Sequence, residues 1–126
     1  MVDQKLVDFL VAVFPDIVRV ISGEKAFCEY TEGNNCFELK KTGNGDLRVY
    51  FSFRDYGSAH YVPVPDWFDS NQGDSFLVAS VLLSQFIWRC NYKNDLDAKE
   101  TYGAFMQRVS KLRAPSADDF CLTASE

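Results

Sequence analysis

Apolar residues near the start of the chain recur every three or four positions. Val2, Leu6, Phe9, Leu10 and Val13 share one stripe, which predicts a helix over 3–14. Asp3 stands where a capping carboxylate accepts from first-turn amides and suits the positive end of the helix dipole. Pro15 disfavours helical geometry at Phe14. The next stretch, Ile17-Val18-Arg19-Val20-Ile21, is rich in β-branched residues and fits a strand. Ile17 and Ile21 also continue the helical stripe, with Pro15 opening a further turn. Continued helix is the preferred reading, because Gly23 then falls where a helix stops.

The period then changes from about 3.6 to 2. Ala26 to Thr31 and Cys36 to Lys41 read as strands around the turn-forming Glu32-Gly33-Asn34-Asn35. Thr42-Gly43-Asn44-Gly45-Asp46 is a second turn, since Asn-Gly favours positive φ. In Leu47–Arg54 the alternation is clean. Leu47, Val49, Phe51 and Phe53 face one way, and Arg48, Tyr50, Ser52 and Arg54 the other, as in a half-buried antiparallel strand. After Asp55-Tyr56-Gly57-Ser58 the chain is extended again over His60–Val64, where Pro63 and Pro65 restrict it to a sheet edge or a loop.

A polar connection over Asp66–Gly73 carries Trp67 and Phe68. From Asp74 or Ser75 to about Asn91 a helix is apolar around much of its girth, at Phe76, Leu77, Val78, Val81, Leu82, Leu83, Phe86, Ile87 and Trp88, which predicts a buried central helix. A third helix starts near Asp95. Its stripe is Ala98, Tyr102, Phe105, Val109 and Leu112, and Arg113 ends it before Pro115. The tail from 114 to 126 is expected to be mobile, with residues 1–113 as one domain. Helix, then three to four antiparallel strands in a meander, then two helices on one sheet face is an α+β fold. The helix over Phe76–Asn91 should lie on the sheet.

The chain has 126 residues, of which 47% are hydrophobic and 15% aromatic, enough to build a core in a single domain. Net charge is −5, which disfavours direct nucleic-acid binding and anionic membranes and leaves solubility or attraction to a basic partner. The four cysteines, Cys28, Cys36, Cys90 and Cys121, include no CxxC pair. Met1-Val2-Asp3-Gln4-Lys5 lacks the basic start of a signal peptide, so free thiols and a cytoplasmic, reducing location are expected. The apolar run Phe76–Cys90 is too short and polar to span a bilayer, so no membrane is expected as a partner.

Candidate chemistry changes this picture little. One histidine, His60, cannot supply a zinc site with unpaired cysteines, and no segment has EF-hand spacing, so no metal or cofactor is expected. Cys28 or Cys36 could face His60 across the sheet, without a motif that supports a catalytic pair. Asp66, Asp69 and Asp74 read as turn and cap residues rather than as an acid–base set. Gly43-Asn44-Gly45 leads into a strand rather than a helix, unlike a phosphate loop. Arg48, Tyr50 and Arg54 share the outer face of the third strand, a layout that single-strand nucleic-acid binders use, but overall acidity favours a solvated face.

One cluster invites a partner. Tyr56, Tyr61, Trp67 and Phe68 stand among Asp55, Asp66 and Asp69, and aromatic anchors beside charge are characteristic of protein interfaces. The expected interaction residues are therefore Tyr56, Tyr61, Asp66, Trp67, Phe68 and Asp69, with no catalytic residue. The expected function is a small acidic, non-enzymatic protein-binding module, an inhibitor, immunity or phage-type antagonist that neutralises a protein partner. A homodimeric secretion-type chaperone is an alternative, although the strand pair expected after the central helix is missing. An enzyme or small-ligand binder with a cryptic site is another.

Overall fold

The computed structural model of the chain describes residues 1–43, 46–54, 56–62, 72–91 and 93–118. Its first helix, α1 (Gln4–Ser22), begins and ends on the residues expected of it. The Asp3 carboxylate accepts from the Leu6 amide at 3.3 Å. Gly23 takes a left-handed φ of 91°, and the Glu24 amide donates to the Arg19 carbonyl at 2.8 Å, which satisfies a carbonyl the last turn leaves open. Pro15 lies inside the helix. It withholds the one N–H that would reach back to the Val11 carbonyl, but Phe14, Ile17, Val20 and Ile21 are all buried along the same face. That burial outweighs both the missing bond and the strand preference of Ile17–Ile21.

Four strands follow: β1 (Phe27–Glu32), β2 (Asn35–Lys41), β3 (Leu47–Phe53) and β4 (Tyr56–Val62). They form one antiparallel sheet in chain order. Glu32 pairs with Asn35, and Gly33 supplies the positive φ of 61° that so tight a hairpin needs. The last strand starts earlier than the alternation suggested. Phe53 pairs directly with Tyr56, and Arg54 turns the chain with a φ of 55°. Its amide donates to Asn35 Oδ1 at 2.9 Å, which fixes this unusual backbone.

Helices α2 (Gln72–Cys90) and α3 (Asp95–Asp118) complete the α+β order. The third helix runs past its expected end, through Pro115 to Asp118, just as α1 runs through Pro15. Residues 119–126 of the expected mobile tail lie outside the described residues.

The inner face of the sheet carries Cys28, Phe37, Leu39, Leu47, Val49, Phe51 and Phe53, all buried. Phe86 of α2 stacks on Phe51 with centroids 4.3 Å apart and meets Phe37 edge-on at 6.1 Å, so this helix lies on the sheet as expected. Helix α1 shares that face: Phe9 meets Tyr30 at 5.2 Å and Phe53 at 5.3 Å. Phe14 then links it to Phe76 at 4.9 Å and to Phe105 at 6.2 Å.

Two expectations about the helices need correction. The buried stripe of α3 is Ala98, Thr101, Phe105 and Val109, while Tyr102 and Leu112 are exposed. Thr101 takes the inward place because its Oγ1 accepts from the Asp3 amide at 2.9 Å, a partner that tyrosine at 102 is not positioned to offer. Helix α2 is not buried all round either: Leu77, Val81 and Trp88 are exposed, because sheet, α1 and α3 cover only part of its girth.

Candidate functional site

Side-chain alternation sends every second strand residue to the outer face of the sheet, away from the helices. The register sorts these residues into rows. One row runs Phe27, Lys40, Arg48, Tyr61; the next runs Glu29, Glu38, Tyr50, Ala59; a third runs Thr31, Cys36, Ser52, Gly57. For Tyr61 only the backbone position is described. The first two rows line an open concavity of about 650 Å³, bordered by Phe27, Glu29, Glu38, Lys40, Arg48 and Tyr50 among others. Phe27, at the start of edge strand β1, is 58% exposed and Tyr50, on inner strand β3, 42%, high values for aromatic side chains in a sheet.

The charges on this face come in like-signed pairs across neighbouring strands. Glu29 stands directly opposite Glu38, and Lys40 directly opposite Arg48. Directly opposed residues have Cβ atoms roughly 5 Å apart, and like charges there are unfavourable. Moving two residues along a strand, about 6.5 Å, changes the sign of the pair. The face therefore offers two carboxylates, two cations and two aromatic rings within a short distance. Glu29, Glu38 and Lys40 form no ion pair among the described residues.

Arg54 does not join this face, contrary to the clean alternation of its segment. Its guanidinium grips the Asp3 carboxylate with two bonds of 2.7 and 2.8 Å and lies 4.8 Å from the Phe53 ring centroid. The turn conformation at Arg54 ends the alternation one residue early.

Of the described thiols, Cys28 is buried and Cys36 and Cys90 are half-buried. Cys28 and Cys36 sit on opposite faces of the sheet, since Cys28 pairs with inward Leu39 and Cys36 with outward Thr31 and Ser52. They do not approach each other, although their strands are neighbours. Burial pushes the Cys28 thiol up to about 11, helped by the nearby charge of Asp16, and pushes the Cys90 thiol up to about 12, helped by Asp3. Burial and then Glu38 also raise Cys36, against a hydrogen bond with Tyr50. A raised thiol is a poor nucleophile. His60 pairs with Val49 in the backbone register, and its side chain lies outside the described residues. Among the described residues no group of three or more His, Cys, Asp and Glu could hold a metal, and no helix is long and apolar enough to cross a membrane.

Of the expected interaction residues, Tyr56 and Tyr61 are placed in β4 by their backbone, opposite Phe53 and Arg48. Asp66, Trp67, Phe68 and Asp69 lie outside the described residues. Phe27, Glu29, Glu38 and Lys40 escaped sequence reasoning. Their signal was strand parity, which needs both hairpin registers before four strands can be read as rows. No family model matches the chain, and neither does any curated protein or solved structure.

Proposed function

We propose that this chain is a small acidic protein-binding module that neutralises a protein partner by covering its working surface, in the manner of an inhibitor, immunity protein or phage-type antagonist. The observation that carries this reading is the outer sheet face, where two like-charged pairs of opposite sign lie in register between exposed Phe27 and Tyr50. Opposed carboxylates at Glu29 and Glu38 suit a lysine or arginine of the partner. The cations one row away suit a carboxylate beside it. The two rings supply apolar area, and aromatic anchors flanked by charge are where binding energy concentrates. Net charge −5 adds long-range attraction towards a basic surface.

The test is capture from the source cell at moderate salt, followed by binding of the identified partner to purified variants. The wild-type chain retains one partner. Glu29→Lys with Glu38→Lys weakens binding at least 100-fold, and Tyr50→Ala weakens it about 10-fold or more, each with unchanged circular dichroism. Failure of the wild-type chain to retain a partner, or retention that ignores all three substitutions, sinks this reading.

A further inference from the structure

Strand β1 is an edge of the sheet and pairs only with β2. Its hairpin closes at Glu32 and Asn35 over a two-residue turn, so that pair exchanges both backbone hydrogen bonds. Alternation gives Tyr30 and Cys28 the same bonding to Phe37 and Leu39. The Lys41 amide, which donates to the Ala26 carbonyl at 3.3 Å, keeps that parity beyond the strand. Phe27, Glu29 and Thr31 therefore aim their N–H and C=O groups away from β2, at the open edge. Among the described residues no backbone group from outside the sheet bonds to them. All three are exposed, and their side chains stand on the outer face. Edge strands that stay single commonly carry lysine, proline or a bulge. None of these occurs in Phe27–Glu32, whose pairing with β2 is unbroken.

We infer that an extended basic segment of the partner adds to β1 as a fifth strand, antiparallel, with a lysine or arginine opposite Glu29 and an apolar residue opposite Phe27. This inference rests on the proposed reading of the outer face as a protein-binding surface and names the backbone by which the partner holds on. Main-chain bonds to the three outward residues supply the grip, and alternate side chains supply the selection. An added strand lies about 4.8 Å from β1 and prolongs the rows of the outer face. Beside Glu29 it extends the row in which Glu29 and Glu38 oppose each other. A cation there has its Cβ roughly 5 Å from that of Glu29, and stands on the far side of it from Lys40. Its side chain also reaches over β1 towards the concavity that Phe27, Glu29, Glu38 and Tyr50 line. Two positions along, an apolar side chain covers exposed Phe27. The same charges disfavour a second copy as the occupant. Antiparallel pairing of two β1 strands, with Phe27 opposite Thr31, sets Glu29 against its own copy and leaves both Glu38 carboxylates in that row.

The probe is a capped peptide, Val-Thr-Val-Lys-Val-Phe-Val, titrated into the isotope-labelled full chain while amide exchange is followed by nuclear magnetic resonance. In register its threonine, lysine and phenylalanine stand opposite Thr31, Glu29 and Phe27. It binds with a Kd below about 1 mM and slows exchange of the Phe27, Glu29 and Thr31 amides, whereas the Cys28 and Tyr30 amides, already paired with β2, change little. Glutamate in place of the peptide's lysine weakens binding about 10-fold or more. Thr31→Pro removes one outward amide and no bond to β2, and weakens binding about 10-fold with unchanged circular dichroism. Should that variant perturb the fold, methylation of the peptide backbone decides. Methylating the lysine amide, which faces β1, abolishes binding, and methylating the valine amide before it, which faces away, does not. The inference is overturned if the three amides stay unprotected, if protection survives the change of lysine to glutamate, or if the two methylations act alike. A captured partner that is lost with Glu29→Lys and Glu38→Lys but indifferent to Thr31→Pro docks flat on the face, which overturns the added strand and leaves the protein-binding reading standing. Strand addition by the peptide with no partner retained from the source cell does the reverse.

Discussion

Asp3 holds three parts of the molecule at one side chain and one amide. Its carboxylate caps α1 and receives the bidentate Arg54 guanidinium from the β3–β4 turn, while its amide donates to buried Thr101 of α3. Its side chain is only 12% exposed although its partner Arg54 is half exposed, so solvent weakens the pair without dissolving it. Asp3→Ala is expected to lose about 2 kcal/mol, from the cap and from the charge-assisted bonds together. Urea denaturation measures it. Combined with Arg54→Ala the losses should fall short of additive by roughly 0.5–1 kcal/mol, since both substitutions remove one interaction. Asp3 was legible in the sequence as a cap, because a cap depends on its neighbours in the chain. Its bonds to Arg54 and Thr101 were not, because nothing local specifies a partner 51 or 98 residues away.

The phenylalanines organise the elements. Phe86 is the residue through which α2 meets the sheet, stacked on Phe51 and edge-on to Phe37. Phe86→Ala is expected to destabilise the fold by about 3–5 kcal/mol, the usual loss when a buried ring leaves a cavity. Phe76→Ala, at a half-buried site touching Phe14, should lose less. Thermal or urea unfolding of the two variants checks the order. Elements of this kind were readable where one periodicity dominated. Leu47–Phe53 alternated, and the structure buries Leu47, Val49, Phe51 and Phe53 as read. Helix α2 was apolar on too many sides for periodicity to say which would be covered, and its solvent side carries Leu77, Val81 and Trp88. In α3, Thr101 displaced Tyr102 from the inward stripe through a hydrogen bond that hydrophobicity does not register. The rows of the outer sheet face needed registers, and registers depend on turn geometry at Gly33 and Arg54.

For the molecule as a whole, the buried Cys28 thiol and the half-buried Cys90 thiol tie stability to alkaline pH. Cys28 and Cys90 are raised from 9.0 to about 11 and about 12, so the folded chain keeps both protons where the unfolded chain releases them. More protons on the folded state means that stability falls as pH rises. The decline begins near the unfolded value, continues to about 11 for Cys28 and about 12 for Cys90, and amounts to roughly 1.4 kcal/mol per pH unit for each thiol. Urea midpoints measured between pH 8 and 11 should show this slope, and Cys28→Ala should make it shallower. A midpoint that stays flat over that range would contradict the burial of these groups.

The chain-order meander also has a consequence for synthesis. Each strand pairs with the one just made, so no sheet contact waits for distant sequence. On the ribosome α1 and all four strands emerge before α2, and α1 can close over Phe51 and Phe53 while the place of Phe86 is still empty. Until α2 arrives, the part of the inner sheet face that Phe86 covers, at Phe37 and Phe51, stays open to solvent.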